Sequence, residues 1–129
     1  MFEIECEVNP DLVSPPYHHV HHADVLRFLE RARLAFLREV GFPNDDFLAK
    51  GLFLVITGLE VKYKRELLPG LIRVTCERPC IHGKIVTIEQ RIINAKGKTA
   101  VEARVDSQFL DGVLRRGVSP PQDFAAVFR

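Results

Sequence analysis

Cysteine is scarce, charge is balanced and no stretch is both long and apolar, and each of these shortages removes a class of protein. The 129 residues hold three cysteines. Cys6, Cys76 and Cys80 are odd in number and lack zinc-ligand spacing, which argues against a disulfide framework and fits buried thiols in a reducing compartment. Eighteen Lys and Arg against seventeen Asp and Glu leave a net charge of +1. With the cations scattered, no field favours nucleic acid or an anionic membrane surface as a partner. No segment reaches membrane-span length without charges, so membrane insertion is not expected, and Met1-Phe2-Glu3-Ile4-Glu5 carries acids where a secretory signal would be basic. A cytoplasmic protein is the expectation. No repeat, low-complexity segment or linker interrupts the chain, and 47% hydrophobic residues suit a single domain, 1–129, around one core.

What is present reads as strand, helix, then strands. Phe2, Ile4, Cys6 and Val8 alternate with Glu3, Glu5 and Glu7, the period-two mark of a half-buried strand. Prolines at 10, 15 and 16 then impose a loop. From Ala23 to Val40 a turn of about 100° per residue gathers Val25, Phe28, Leu29, Ala32, Ala35, Phe36 and Val40 on one arc. Leu26, Leu34 and Leu37 fall outside it, which predicts a helix wrapped by other structure. Gly41 is the expected stop. A loop or turn from Phe42 leads through Phe47 to Gly51, and Leu52 to Ile56, continuously apolar, reads as a central strand that continues to Lys64 with a bulge at Gly58. Ile72 to Arg78, Lys84 to Asn94 and Thr99 to Leu110 complete antiparallel hairpins turning at His82-Gly83 and Ala95 to Lys98. A short helix is expected from Gln122 to Phe128. This is an α+β plan, a sheet of about five strands around one helix, with open edges that a second subunit would extend.

The densest chemistry is Tyr17-His18-His19-Val20-His21-His22, running straight into the helix. Imidazoles beside the positive end of a helix dipole can activate water and polarise a carbonyl. Metal ligation is the competing use of four histidines, but no paired His or Cys spacing supplies further ligands, and no metal is expected. Glu30 could serve as a base facing a partner subunit, or simply pair with Arg33 along the helix. Cys80 near His82 suggests a thiol nucleophile, with no third group in sight to orient it.

His19-Val20-His21-His22-Ala23, then Leu26-Arg27-Phe28-Leu29-Glu30-Arg31-Ala32-Arg33 and Phe36-Leu37, resembles the helix entry of hotdog-fold acyl-CoA thioesterases of the 4-hydroxybenzoyl-CoA thioesterase type and their Tol-Pal-associated branch. Val61-x-Tyr63, Pro69-Gly70 and the stretch from Leu110-Asp111 to Pro120-Pro121 resemble later landmarks. The resemblance implies a hotdog fold, extended by dimerisation or into a tetramer, that hydrolyses acyl thioesters of coenzyme A or acyl carrier protein with no cofactor beyond the coenzyme A of the substrate. It implies catalysis by His22, assisted by His19. The family's aspartate, seven residues before the position of His22, is here Pro15, and Asp11 is the nearest upstream carboxylate that could replace it. Amides near Ala23 and Asp24 would hold the oxyanion. Val25, Leu29 and the strand from Leu52 to Ile56 would line an acyl tunnel, and Arg65, with Lys62, Arg115 and Arg116, would meet coenzyme A phosphates. A module that binds acyl thioesters without cleaving them, and a dehydratase or hydratase, are the alternatives.

Overall fold

The computed structural model describes residues 1–15 and 18–128, so Pro16 and Tyr17 of the histidine loop and Arg129 lie outside the described residues. Strand β1 (Phe2–Val8) leads through a 3-10 turn (Pro10–Leu12) and two short strands, β2 (Val13–Ser14) and β3 (His19–Val20), into helix α1 (His22–Glu39). A second helix, α2 (Asn44–Ala49), precedes β4 (Leu52–Tyr63), β5 (Gly70–His82), β6 (Ile85–Ile93), β7 (Thr99–Asp111), β8 (Arg116–Val118) and a final helix α3 (Gln122–Val127). The long strands form one antiparallel sheet in the order β1-β5-β6-β7-β4, with β8 also on β7, and β2 pairs with β3 in a separate two-stranded ribbon.

The pattern of β1 works as the alternation requires: Cys6 and Val8 are buried while Glu3, Glu5 and Glu7 are exposed. Helix α1 lies against β5 and β1 and buries Val25, Phe28, Leu29, Ala32, Phe36 and Leu37. It ends in a Schellman motif. Phe42 N–H donates to Leu37 O at 2.8 Å, and Gly41 N–H to Arg38 O at 3.1 Å. Gly41 takes φ +92°, a left-handed conformation that costs glycine least. Phe42 and Leu37 then pack in an aromatic cluster with Phe47, Phe109 and Phe124, whose rings meet edge to face at 4.9 Å (Phe47–Phe109) and 5.2 Å (Phe109–Phe124).

The middle of α1 is fixed to the sheet by one buried amide. Gln90 Nε2 donates to Leu29 O at 2.9 Å, and its Oε1 accepts from the Arg33 guanidinium at 3.0 Å. Burial pulls the Arg33 guanidinium below its ordinary pKa, against an opposing pull from Glu30. Next to Gln90, burial pushes the Cys76 thiol up to about 12, so it stays protonated and inert at neutral pH.

Several sequence expectations are corrected. The apolar run Leu52–Ile56 forms the edge strand of this chain's sheet, not a central one: among the described residues β4 pairs only with β7. Val55, Ile56 and Leu59 are exposed, at 36%, 49% and 43%. Leu34 is likewise exposed at 42%, so α1 is not wrapped all round within one chain. The segment after Gly41 is not merely a loop, because Asn44–Ala49 is helical and buries Phe47. Strand β5 runs on past Arg78, through an irregularity between Glu77 and Cys80, so Cys80 and His82 lie on a strand rather than at a turn. The bulge at Gly58 is present. A Cβ at Gly58 would lie 3.3 Å from the Asp106 carboxylate.

Candidate active site

A cleft of about 710 Å³ opens at the start of α1. His21 caps the helix with its ring: Nδ1 accepts from Ala23 N–H at 3.1 Å, and the His21 carbonyl accepts from Asp24 N–H at 2.9 Å. His22, at the first helical position, is exposed and lines the cleft. Its ring stands edge-on to that of Tyr63 at 6.4 Å, and the Tyr63 hydroxyl donates to His22 O at 3.0 Å, so the end of β4 is tied to the start of α1.

The opposite wall is the segment after β4. Lys64 and Arg65 N–H both donate to Ala100 O, at 2.8 and 3.0 Å. The Arg65 guanidinium reaches Thr99 O at 2.8 Å and Lys64 Nζ pairs with Glu102 at 2.8 Å. Further along, Val20 N–H donates to Leu67 O at 2.9 Å. Val20 and Leu67, at 3% and 2% exposure, line the cleft together with their predecessors His19 and Glu66, and His19 Nδ1 lies 3.4 Å from Glu66 Oε2.

The structure thus brings His22, His19, Val25 and Arg65 into one cleft. It does not bring Asp11 there: that residue sits exposed in the 3-10 turn Pro10–Leu12, whereas Pro15 does line the cleft. The Ala23 and Asp24 amides are corrected too. Both are engaged by His21, and neither residue lines the cleft. Among the tip amides, the His22 N–H is one with no acceptor in its own helix. Leu29 is fully buried, and with Glu30 it borders a separate trough between α1 and β4 that includes Leu26, Ile56 and Leu59. A neighbouring hollow holds Leu54 and Leu34. Val25 thus lines the cleft, while Leu54 and Ile56 of the strand line the hollow and the trough. Sequence reasoning missed Glu66, and it noticed Tyr63 only as a landmark. Neither carries a local signal, because Tyr63 reaches the cleft through the pairing of β4 with β7 and Glu66 through the bond from Val20 to Leu67.

No group of three or more His, Cys, Asp or Glu side chains able to hold a metal occurs among the described residues. Nor, among them, is any helix long and apolar enough to cross a membrane.

The family model described as thioesterase-like superfamily matches residues 8–128. The acyl-CoA thioester hydrolase YbgC of Escherichia coli O6:H1 is 27% identical over 111 residues, 85% of this chain and 83% of that protein. A probable thioesterase from Bartonella henselae has a similar structure, with a TM-score of 0.80 at 26% identity over 93% of this chain and 98% of its own. DHNA-CoA thioesterase from Staphylococcus aureus shares the fold, with a TM-score of 0.85 at 19% identity over 91% of this chain and 78% of its own.

Proposed function

The chain belongs to the thioesterase-like superfamily, and on that premise we propose that, as a single domain, it hydrolyses an acyl thioester of coenzyme A to a free acid and a thiol. The observation that carries this reading is the cleft at the α1 tip, where His22 and His19 converge beside an apolar wall of Val20, Val25 and Leu67. The thioester carbonyl oxygen lies toward the His22 N–H, where the helix dipole favours the negative charge that develops on attack. His22 orients the water and His19 takes its proton. The water oxygen bonds to the carbonyl carbon, the tetrahedral oxyanion collapses with loss of the C–S bond, and the departing thiolate takes the proton from His19. Every atom is then accounted for in acid and thiol, and no metal or redox group enters. Arg65 and Lys64 at the rim suit the coenzyme's phosphates. An acyl carrier protein is the alternative carrier.

The working unit in this reading is a cytoplasmic homodimer, with a tetramer as the larger possibility. Its support is the unpaired edge of β4 together with the apolar strip of Leu34, Ile56 and Leu59. Free strand edges and apolar patches both call for a cover. A second copy laid there would also roof the trough beside Leu29 and Glu30, making it the route for the acyl chain.

The deciding experiment is a thiol-release screen over coenzyme A thioesters of graded chain length, with aromatic members and acyl carrier protein thioesters included. The expected result is turnover by the native chain and a loss of about 10²–10⁴-fold in kcat for His22→Ala, the range for a positioned acid-base group. Binding without thiol release, unaffected by that substitution, would instead identify a non-hydrolytic acyl-CoA binder. Gain or loss of enoyl absorbance would identify a hydratase or dehydratase.

A further inference from the structure

We infer that Glu66 supplies the carboxylate that the loop before α1 lacks, acting as the positioning residue for His19. This rests on the hydrolytic reading above. The first argument is placement. Pro15 lines the cleft where the resemblance would put an aspartate, and Glu66 lines the same cleft with its Oε2 3.4 Å from His19 Nδ1.

The second argument is how the pair is held. Val20 N–H donates to Leu67 O at 2.9 Å, and both of those side chains are buried. The bond joins the two segments beside the cleft, which Val20 and Leu67 line together with His19 and Glu66, so the residue before each anchor is carried to the same cleft. The pair is therefore set by the backbone bridge, not by two long side chains meeting at random. The third argument is that the cations beside Glu66 do not turn to it: Lys64 pairs with Glu102 and Arg65 donates to the Thr99 carbonyl, exposed contacts that a phosphate at the rim could replace. The imidazole is the partner Glu66 is left to serve.

The chemistry follows from the geometry. A carboxylate at Nδ1 holds the ring proton on that nitrogen, so the basic lone pair falls on Nε2. It also stabilises the imidazolium formed when water surrenders its proton. Glu66 never touches the reacting atoms and acts only through His19.

The test is steady-state thiol release by Glu66→Gln, His19→Ala, the double variant and Asp11→Asn, each compared with the native chain on its best substrate. Glu66→Gln keeps the size of the side chain and removes its charge. The expected result is a kcat lower by about 10–100-fold with KM within about threefold, an unchanged melting temperature, and a double variant no slower than His19→Ala, because residues that act as a unit are non-additive. A side chain that merely props the loop would alter melting and KM and would add its loss to that of His19→Ala. The inference is overturned if Glu66→Gln keeps at least half the native kcat, if the losses multiply, or if Asp11→Asn produces the loss instead. Those outcomes leave the hydrolytic reading standing. A native chain that releases no thiol from any substrate removes both.

Discussion

Replacing Gln90 with leucine tests how α1, and with it the cleft at its tip, is held to the sheet. Gln90 is 1% exposed and joins Leu29 O at 2.9 Å to the Arg33 guanidinium at 3.0 Å. Leucine has nearly the same bulk but can make neither bond. The Leu29 carbonyl keeps its helical partner, so the neutral bond accounts for about 1 kcal/mol, while the charge-assisted bond from Arg33 contributes about 1.5–3 kcal/mol. Arg33 can turn partly toward water and Glu30, which places the net loss at about 2–3 kcal/mol. For a chain of this size that corresponds to roughly 6–15 °C in Tm. Urea unfolding at fixed protein concentration measures it, with concentration fixed because an associating protein's stability depends on it. The companion variant is Arg33→Met in the Gln90→Leu background. Removing the unpaired charge should recover roughly half of the loss, since an apolar pair substitutes well for a buried polar one. The reasoning is refuted if Gln90→Leu unfolds within about 0.5 kcal/mol of the native chain, or if the double variant is less stable than Gln90→Leu alone.

Two further outcomes are expected. On the proposed dimer, Ile56→Lys in the middle of the exposed strip on β4 should return the single-chain mass of 14.7 kDa in light scattering coupled to gel filtration, where the native chain returns a multiple of it; the same mass for both chains would refute the assignment of that edge. Asp111 accepts from the amides of Leu114 and Val113, both at 2.9 Å, and these hold its carboxyl below the ordinary value of 3.8. A depressed folded pKa contributes stability that is fully present above the unfolded pKa and is lost as pH falls through the folded one. The gap in urea midpoint between the native chain and Asp111→Ala should therefore be steady near neutrality and shrink below about pH 4; a gap that widens on acidification contradicts that sign.

The alternation of Phe2 to Val8, the arc of α1 and its glycine stop were legible because helix and strand periods are local properties of the side chains. The same holds for the histidine cluster and for the bulge at Gly58. The short helix Asn44–Ala49 was not, because six residues rich in turn formers carry no full period, and what holds them is Phe47 in the aromatic cluster. The run Leu52–Ile56 misled for a physical reason: continuous apolarity reads as a strand covered on both faces, but it does not say which strands pair beside it, and here it pairs at the sheet's edge.

By itself, then, the sequence determined the order of the long elements, the helix that opens among histidines, and the family to which that opening bears a likeness. Only the tertiary structure decided which groups meet there. It withdrew the Ala23 and Asp24 amides by giving them to His21, left Asp11 outside, and set Glu66 against His19 through the bond from Val20 to Leu67. That glutamate stands 47 positions after its histidine, and no local periodicity reaches so far; only backbone contact across the fold fixes such a pair.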